Sequence, residues 1–223
     1  MSDRYKCILL VGAPGAGKGT QGKIVGSIPG FYHLACGDVF RSLDLTSPLG
    51  KKFMEYSSRG ELVPDDVTEA MVRERLNRTD LQEGFILDGF PRTLPQARAL
   101  DDMLGDLCRH LSGAIYLDVP DEEIIRRISG RRYCPTCQAS YHILFKKPKQ
   151  EGLCDVDGAP LEQREDDDPD TVKARLKVFH GQTLPVVDYY RQAGLLIEVP
   201  AAGEVDEVDE LLANMLQPFK RHT

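Results

Sequence analysis

The chain predicts an α/β fold, a parallel sheet wrapped by helices on both sides, and three observations carry that prediction. Short apolar runs alternate with amphipathic helical stretches, and the first run passes through a glycine-rich loop into a helix. A length of 223 residues with 41% hydrophobic content is enough for one sizeable core bearing insertions. In order, KCILLVG (Lys6 to Gly12) reads as a buried strand, and the helix after its loop begins near Gly17 and ends before Pro29. GFILDGF (Gly84 to Phe90) and AIYLDVP (Ala114 to Pro120) are further apolar runs that reach carboxylates, and LLIEV (Leu195 to Val199) follows near the end. Between them, Val67, Met71, Val72 and Leu76 recur at helical spacing, and Ile124, Ile125 and Ile128 read as one helical face. Two segments break the alternation. Residues 35–64 read as helical and polar without a strand, and residues 131–167 are rich in Cys, Gly, Pro and charge. Both read as insertions, which leaves 1–34, 65–130 and 168–223 as the core.

A net charge of -7, from 35 acidic and 28 basic residues, disfavours a general nucleic-acid or anionic-membrane binder, which needs clustered positive charge. It leaves a small anionic ligand open. No apolar run approaches the roughly 20 residues of a spanning helix. MSDRYK lacks the basic start and apolar segment of a signal peptide. The chain is expected to be cytoplasmic, with neither nucleic acid nor membrane as partner.

The loop GAPGAGKGT fits the phosphate-binding pattern G-x-x-x-x-G-K-[ST] at Gly12, Gly17 and Lys18, but Gly19 stands where a Ser or Thr hydroxyl normally meets Mg²⁺. Gly12, Gly15, Gly17 and Gly19 let backbone N–H groups approach an anion, and Lys18 adds a mobile positive charge. A glycine-rich turn without a ligand is the plainer reading; the strand before and helix after favour phosphate. Ligands of such sheets bind beyond the carboxyl ends of the strands, so Asp88 belongs beside this loop if both strands share a sheet.

Arginines recur downstream: Arg41 in GDVFR, Arg92 in DGFPRTLPQ, Arg126, Arg127, Arg131 and Arg132 in RRISGRR, then Arg164 and Arg175. By spacing alone they are equally solvated surface groups, helix-dipole partners or an anion site. The cysteines are more specific. CPTC (Cys134 to Cys137) and CDVD (Cys154 to Asp157) are paired positions 16 residues apart, the spacing of a zinc ribbon with one thiolate replaced by a carboxylate. Cys134, Cys137, Cys154 and Asp157 would saturate a tetrahedron, making the site structural; Asp155 lies too close to Cys154, and His142 falls outside the paired spacing. A redox CxxC or unligated thiols are the rival readings. Cys7, Cys36 and Cys108 read as ordinary small residues.

Taken in order, GAPGAGKGTQ, GDVFR, GELVPD, LDGFPRT with Gln96, GRR, and REDD followed by Arg175 resemble the adenylate kinases of the long-lid bacterial type, over about Lys6 to Arg191. The resemblance implies a nucleoside monophosphate kinase fold with a five-stranded parallel sheet and two mobile flaps, an AMP-binding one at 35–64 and a zinc-containing lid at 131–167. It implies transfer of the γ-phosphoryl of ATP to AMP giving two ADP, Mg²⁺ accompanying ATP, and a monomer. Gly15, Ala16, Gly17, Lys18, Gly19 and Thr20 would cradle the ATP phosphates. Arg92, Arg127, Arg131, Arg164 and Arg175 with Lys18 would act on the transferred group, and Asp166 and Asp167 would orient lid arginines. Ser140, Tyr141, Phe145 and Gly203 would meet the donor nucleotide. Cys36, Arg41, Glu61, Leu62, Val63, Gly89, Phe90, Pro91, Arg92, Gln96, Arg164 and Arg175 would form the AMP site. Asp88 would hold Mg²⁺ through water, and Thr20 supplies a hydroxyl one residue beyond Gly19.

One departure stands out: Cys36 sits where relatives carry a hydroxyl, so a contact to AMP is expected to weaken and the thiol to be oxidisable. Other readings keep the P-loop but change the ligand, with GTP as donor or UMP or CMP as acceptor. A small-molecule kinase would want a base, and a zinc-ribbon binding protein would leave the arginines unexplained.

Overall fold

A computed structural model of the chain describes residues 6–26, 32–41, 46–77, 84–203 and 205–215. In chain order the strands are β1 (Lys6–Gly12), β2 (Tyr32–Ala35), β3 (Gly84–Asp88), β4 (Gly113–Asp118), β5 (Arg131–Tyr133), β6 (Ser140–His142) and β7 (Leu196–Pro200). The helices are α1 (Lys18–Gly26), α2 (Cys36–Arg41), α3 (Pro48–Ser57), α4 (Asp65–Leu76), α5 (Leu94–Asp106), α6 (Asp121–Ser129), α7 (Pro169–Val178), α8 (Leu184–Gln192) and α9 (Val205–Met215).

The main sheet is parallel throughout, in the order β2, β3, β1, β4, β7. β1 is central, and every residue from Cys7 to Val11 is at most 4% exposed, which is why its sequence is continuously apolar rather than alternating. Alternation reappears in the packing. Ile8 and Leu10 join Ile124 and Ile128 of α6, Val172 and Leu176 of α7, and Leu212 of α9. Cys7, Leu9 and Val11 join Val72 and Leu76 of α4, Leu100 and Leu104 of α5, and Val186 and Val187 of α8. Helices therefore cover both faces, and the carboxyl ends of the strands remain for a ligand. Leu10 of β1 is in register with Asp88 of β3, which brings that carboxylate beside the P-loop.

Caps set several helix starts. Ser47 accepts the Gly50 N–H at 3.0 Å, Thr93 accepts that of Gln96 at 3.3 Å, and Asp168 accepts those of Asp170 and Thr171 at 3.0 and 3.2 Å. A π-helical turn, Phe179–Thr183, joins α7 to α8.

Three readings are corrected. β2 escapes the apolar-run criterion because it is an edge strand of which only Leu34 is buried. Ile125 is 43% exposed while Ile124 and Ile128 are buried, because adjacent helical residues point about 100° apart and cannot share a narrow face. On α4 the buried face holds Thr68, Val72 and Leu76 rather than Val67. Residues 131–167 carry the antiparallel pair β5 and β6. Among the described residues no helix is long and apolar enough to cross a membrane.

Candidate active site

Between β1 and α1 the chain turns through Gly15 at φ +81° and Gly17 at φ +97°, a conformation that strains any L side chain. A Cβ at Gly15 would also lie 2.6 Å from Cγ1 of Ile128. Gly19 carries no such demand: a Cβ there meets nothing within 4 Å, so the backbone does not impose the missing hydroxyl. Lys18 folds back over the loop, its Nζ donating to the carbonyls of Gly12 at 2.7 Å and Ala13 at 2.9 Å.

Positive charge converges on this loop. Burial pulls the Lys18 ammonium down to about 8, Asp88 opposes the shift, and Arg92, Arg175 and Arg131 add repulsion. Arg175 is likewise held below the ordinary arginine value, first by burial, with Asp166 opposing and Arg131 and Arg92 reinforcing. Such crowding is tolerated because carboxylates hold the arginines. Arg131 Nε donates to Asp167 Oδ2 at 2.8 Å, and the Asp167 side chain is 0% exposed. Arg175 Nη1 donates to Asp166 Oδ2 at 2.6 Å. The two aspartates share one 3₁₀ turn, Glu165–Asp167, so a single element positions an arginine from β5 and another from α7. Asp88 is 8% exposed and faces His33, whose Nε2 lies 3.6 Å from Oδ2.

A cleft opens beside these charges. Lys18, Arg92 and Arg175 line it, together with Glu61, Leu62, Val63, Gly89, Pro91 and Gln96. Arg92 is fixed from three directions: its Nε donates to the Gly89 carbonyl at 2.7 Å, its N–H donates to Gln96 Oε1 at 2.7 Å, and its carbonyl accepts from Thr183 Oγ1 at 2.9 Å. Asp65, the last residue of GELVPD and given no role from sequence, ties this corner to α4 by accepting from Gln96 Nε2 at 2.7 Å and Thr93 Oγ1 at 2.9 Å. Phe40 and Phe53 also line the cleft, stacked with centroids 5.2 Å apart. Phe40 lies within the GDVFR stretch and Asp65 closes GELVPD, the signals that could have found them; Thr183 bonds to Arg92 from 91 positions away and carries no local mark.

Not every expected residue joins the cleft. Phe90 is 1% exposed in the core, leaving its neighbours Gly89 and Pro91 on the wall. Cys36 begins α2, and burial pushes its thiol up to about 12, with Arg92 pulling the other way. Arg41 ends α2, and its side chain lies outside the described residues.

On the other side of the P-loop, Arg127 of α6 donates from Nε to Glu123 at 2.8 Å and from Nη2 to the carbonyls of Ala202 at 3.0 Å and Gly203 at 3.2 Å. It thereby ties the segment after β7 to α6. Arg164 lies over the Tyr133 ring at 5.5 Å, and Arg126 over Phe145 at 4.6 Å. Ser140 and Tyr141 are successive residues of β6 and so point to opposite faces. They do not share one nucleotide-facing surface, because Tyr141 turns inward toward Cys154.

Cys134, Cys137, Cys154 and Asp157 meet in residues 131–167, their ligand atoms all within 4.8 Å of one another. Two matching knuckles create the site. The Gln138 N–H returns to the Cys134 carbonyl at 3.0 Å and the Gly158 N–H to that of Cys154 at 2.9 Å; the turning residues have φ +59° and +72°. Cys134 Sγ stands 3.3 Å from Asp157 Oδ2, and the sulfurs of Cys137 and Cys154 are 3.5 Å apart. A tetrahedral ion with metal–sulfur bonds of about 2.3 Å separates its ligand atoms by about 3.8 Å, so this set fits a metal with little adjustment. His142 is not part of it; its Nδ1 accepts from the N–H groups of Leu144 and Phe145 at 3.0 and 3.2 Å.

A parallel sheet whose central strand ends in a glycine-cradled lysine defines a P-loop protein of the phosphate-binding α/β class. The adenylate kinase family model matches residues 10–195. Adenylate kinases of Ruminiclostridium cellulolyticum and Carboxydothermus hydrogenoformans are 48% and 47% identical to the chain, each over 94% of it and over 98% and 99% of their own lengths. That of Staphylococcus aureus is 44% identical over 94% of the chain and 98% of its own length. The chain belongs to the adenylate kinase family.

Proposed function

We propose that the chain catalyses reversible transfer of the γ-phosphoryl of ATP to AMP, giving two ADP. The observation that carries this reading is the convergence of Lys18, Arg92, Arg131 and Arg175 close enough to perturb one another beside an open cleft. Four cations gathered at that cost in repulsion want an anion, and the charge on a phosphoryl group in flight is spread over several oxygens. Gly15 to Thr20 cradle the donor phosphates, and Lys18 leaves its carbonyl partners to follow them. Arg127 and Arg131 hold the donor side. Arg164 and Arg175 face the transferred group. Arg92 and Gln96 hold the AMP phosphate and base, with Leu62 and Val63 against the adenine.

No general base is needed. The AMP phosphate, with a second pKa of about 6, is already largely ionised near neutrality. Mg²⁺ bound with ATP would neutralise phosphate charge, with Asp88 anchoring it through water. Residues 35–64 and 131–167 act as flaps that close over the nucleotides and exclude water, the competing acceptor. Zinc suits Cys134, Cys137, Cys154 and Asp157, a closed ligand set with no position for substrate, and its chemistry there is structural: it joins two knuckles that bury little else.

The deciding experiment is ADP formation from ATP and AMP by the purified chain, repeated with GTP as donor and UMP or CMP as acceptor. Activity with ATP and AMP is expected to fall about 10²- to 10³-fold in Lys18→Ala and in Arg92→Ala, the cost of one preorganised charge. Preference for another base pair, or activity indifferent to both substitutions, would reject the proposal.

A further inference from the structure

Tyr141 is buried in the lid, and β6 turns it away from the face that carries Ser140 and His142. Its hydroxyl lies 3.4 Å from Cys154 Sγ and accepts the Asp155 N–H at 2.8 Å. The direction of the first bond follows from the second. A neutral phenol has one proton, and a main-chain N–H already occupies the oxygen, so that proton is left for the sulfur. The Val156 N–H reaches the same sulfur at 3.4 Å, giving Cys154 two donors.

We propose that Tyr141 is a positioning residue of the metal cluster, its O–H···S bond orienting the Cys154 sulfur and sharing its charge. This rests on the zinc reading above. Three thiolates and a carboxylate bring four negative charges to a dication, so the bound set keeps an excess of two, and hydrogen bonds to the sulfurs disperse that excess. The Tyr141 ring meanwhile forms, with Cys134 and Cys154, the buried apolar cluster of the lid. One side chain thus serves packing through its ring and metal affinity through its hydroxyl, and Tyr141→Phe separates the two.

The test begins with metal analysis of the wild-type chain as purified, followed by competition against a chromophoric chelator for wild type and Tyr141→Phe. Zinc affinity is expected to fall about 10- to 100-fold in the variant, the usual cost of losing an outer-shell partner. The zinc-free forms should unfold alike while the zinc-bound forms differ, since the ring remains. In cobalt-substituted protein the thiolate-to-metal charge-transfer band should move to lower energy, because a sulfur freed of a hydrogen bond donates more readily. A wild type holding less than about half an equivalent of zinc would overturn the metal reading itself. A wild type that holds zinc beside a variant whose affinity lies within about two-fold, with an unmoved cobalt band, would overturn the role of Tyr141 alone. Equal destabilisation of the zinc-free and zinc-bound variants would also overturn it, by reducing Tyr141 to packing.

Discussion

Around the P-loop, Cys7, Ile8 and Leu9 are at most 1% exposed and helices pack on both faces of the sheet; in the lid, the buried apolar cluster among the described residues is Cys134, Tyr141 and Cys154. Two of those three lid residues belong to the metal set. The contrast separates two ways of holding charged groups in place. Beside the P-loop, mutually repelling cations stay where they are because a large apolar core fixes the elements bearing them, and because Asp166 and Asp167 offset part of the charge. Residues 131–167 have no comparable core among the described residues, so under the proposed zinc reading their shape would depend on local ligation and on the turns between ligands.

Metal removal should break the comparison most visibly. Chelation is expected to speed amide exchange at Cys134 and Cys154 by about 100-fold or more, reflecting several kcal/mol of ligation energy, while β1 and β3 keep their protection. Exchange measured by mass spectrometry would reject the division if both regions loosened together.

Asp65→Ala should act next, and on the cleft alone. Loss of its bonds to Gln96 and Thr93 loosens the Gln96 side chain that accepts the Arg92 N–H, while the Gly89 and Thr183 bonds to Arg92 remain. Steady-state kinetics should show KM for AMP rising about 10-fold or more, the value of one charged hydrogen bond, with KM for ATP little changed. An equal rise in both would mean that the corner is not specific to the acceptor.

The pH profile sharpens the electrostatic half. Lys18 is a cation below about 8 in the free protein. kcat/KM should therefore fall about tenfold per unit above that value, whereas the kcat profile should fall at higher pH because bound phosphates favour the cation. Stability moves the other way: between about 8 and 10.5 the unfolded chain binds the proton more tightly, so this group's contribution to stability rises with pH across that window.

The smallest effects pair one residue from each region. Gln138 in the lid and Cys108 after α5 both adopt positive φ, +59° and +54°. Glycine at either should relieve about 1 kcal/mol of backbone strain. Gln138→Gly is expected to appear as slower zinc loss with an unchanged melting midpoint, and Cys108→Gly as a raised midpoint with unchanged zinc loss. Both variants moving both readouts together would show that lid and core unfold as one unit.

Much of this was legible from the residues alone, for identifiable reasons. β1 announces itself because a strand covered on both faces must be apolar at every position, and Gly15, Gly17 and Lys18 because a loop that wraps an anion tolerates few alternatives. The metal set is legible because each knuckle brings its two ligands together within one turn, so sequence spacing is already geometry. Other features depend on contacts that local pattern does not encode. β2 is an edge strand with one buried residue, and Ile125 looks like its neighbours until the helix phase is known. Arg131 and Asp167 are 36 positions apart, and Gln96 and Asp65 are 31 apart; spacing could not decide between solvated arginines and an anion site because only the folded chain brings their carboxylates to them. Tyr141 is the sharpest case: its residue type suits a nucleotide or a core equally, and the pleat of a three-residue strand turns it toward sulfur. Sequence determined the chemistry this chain carries. Tertiary structure decided which groups meet, because burial and charge pairing act through space and not along the chain.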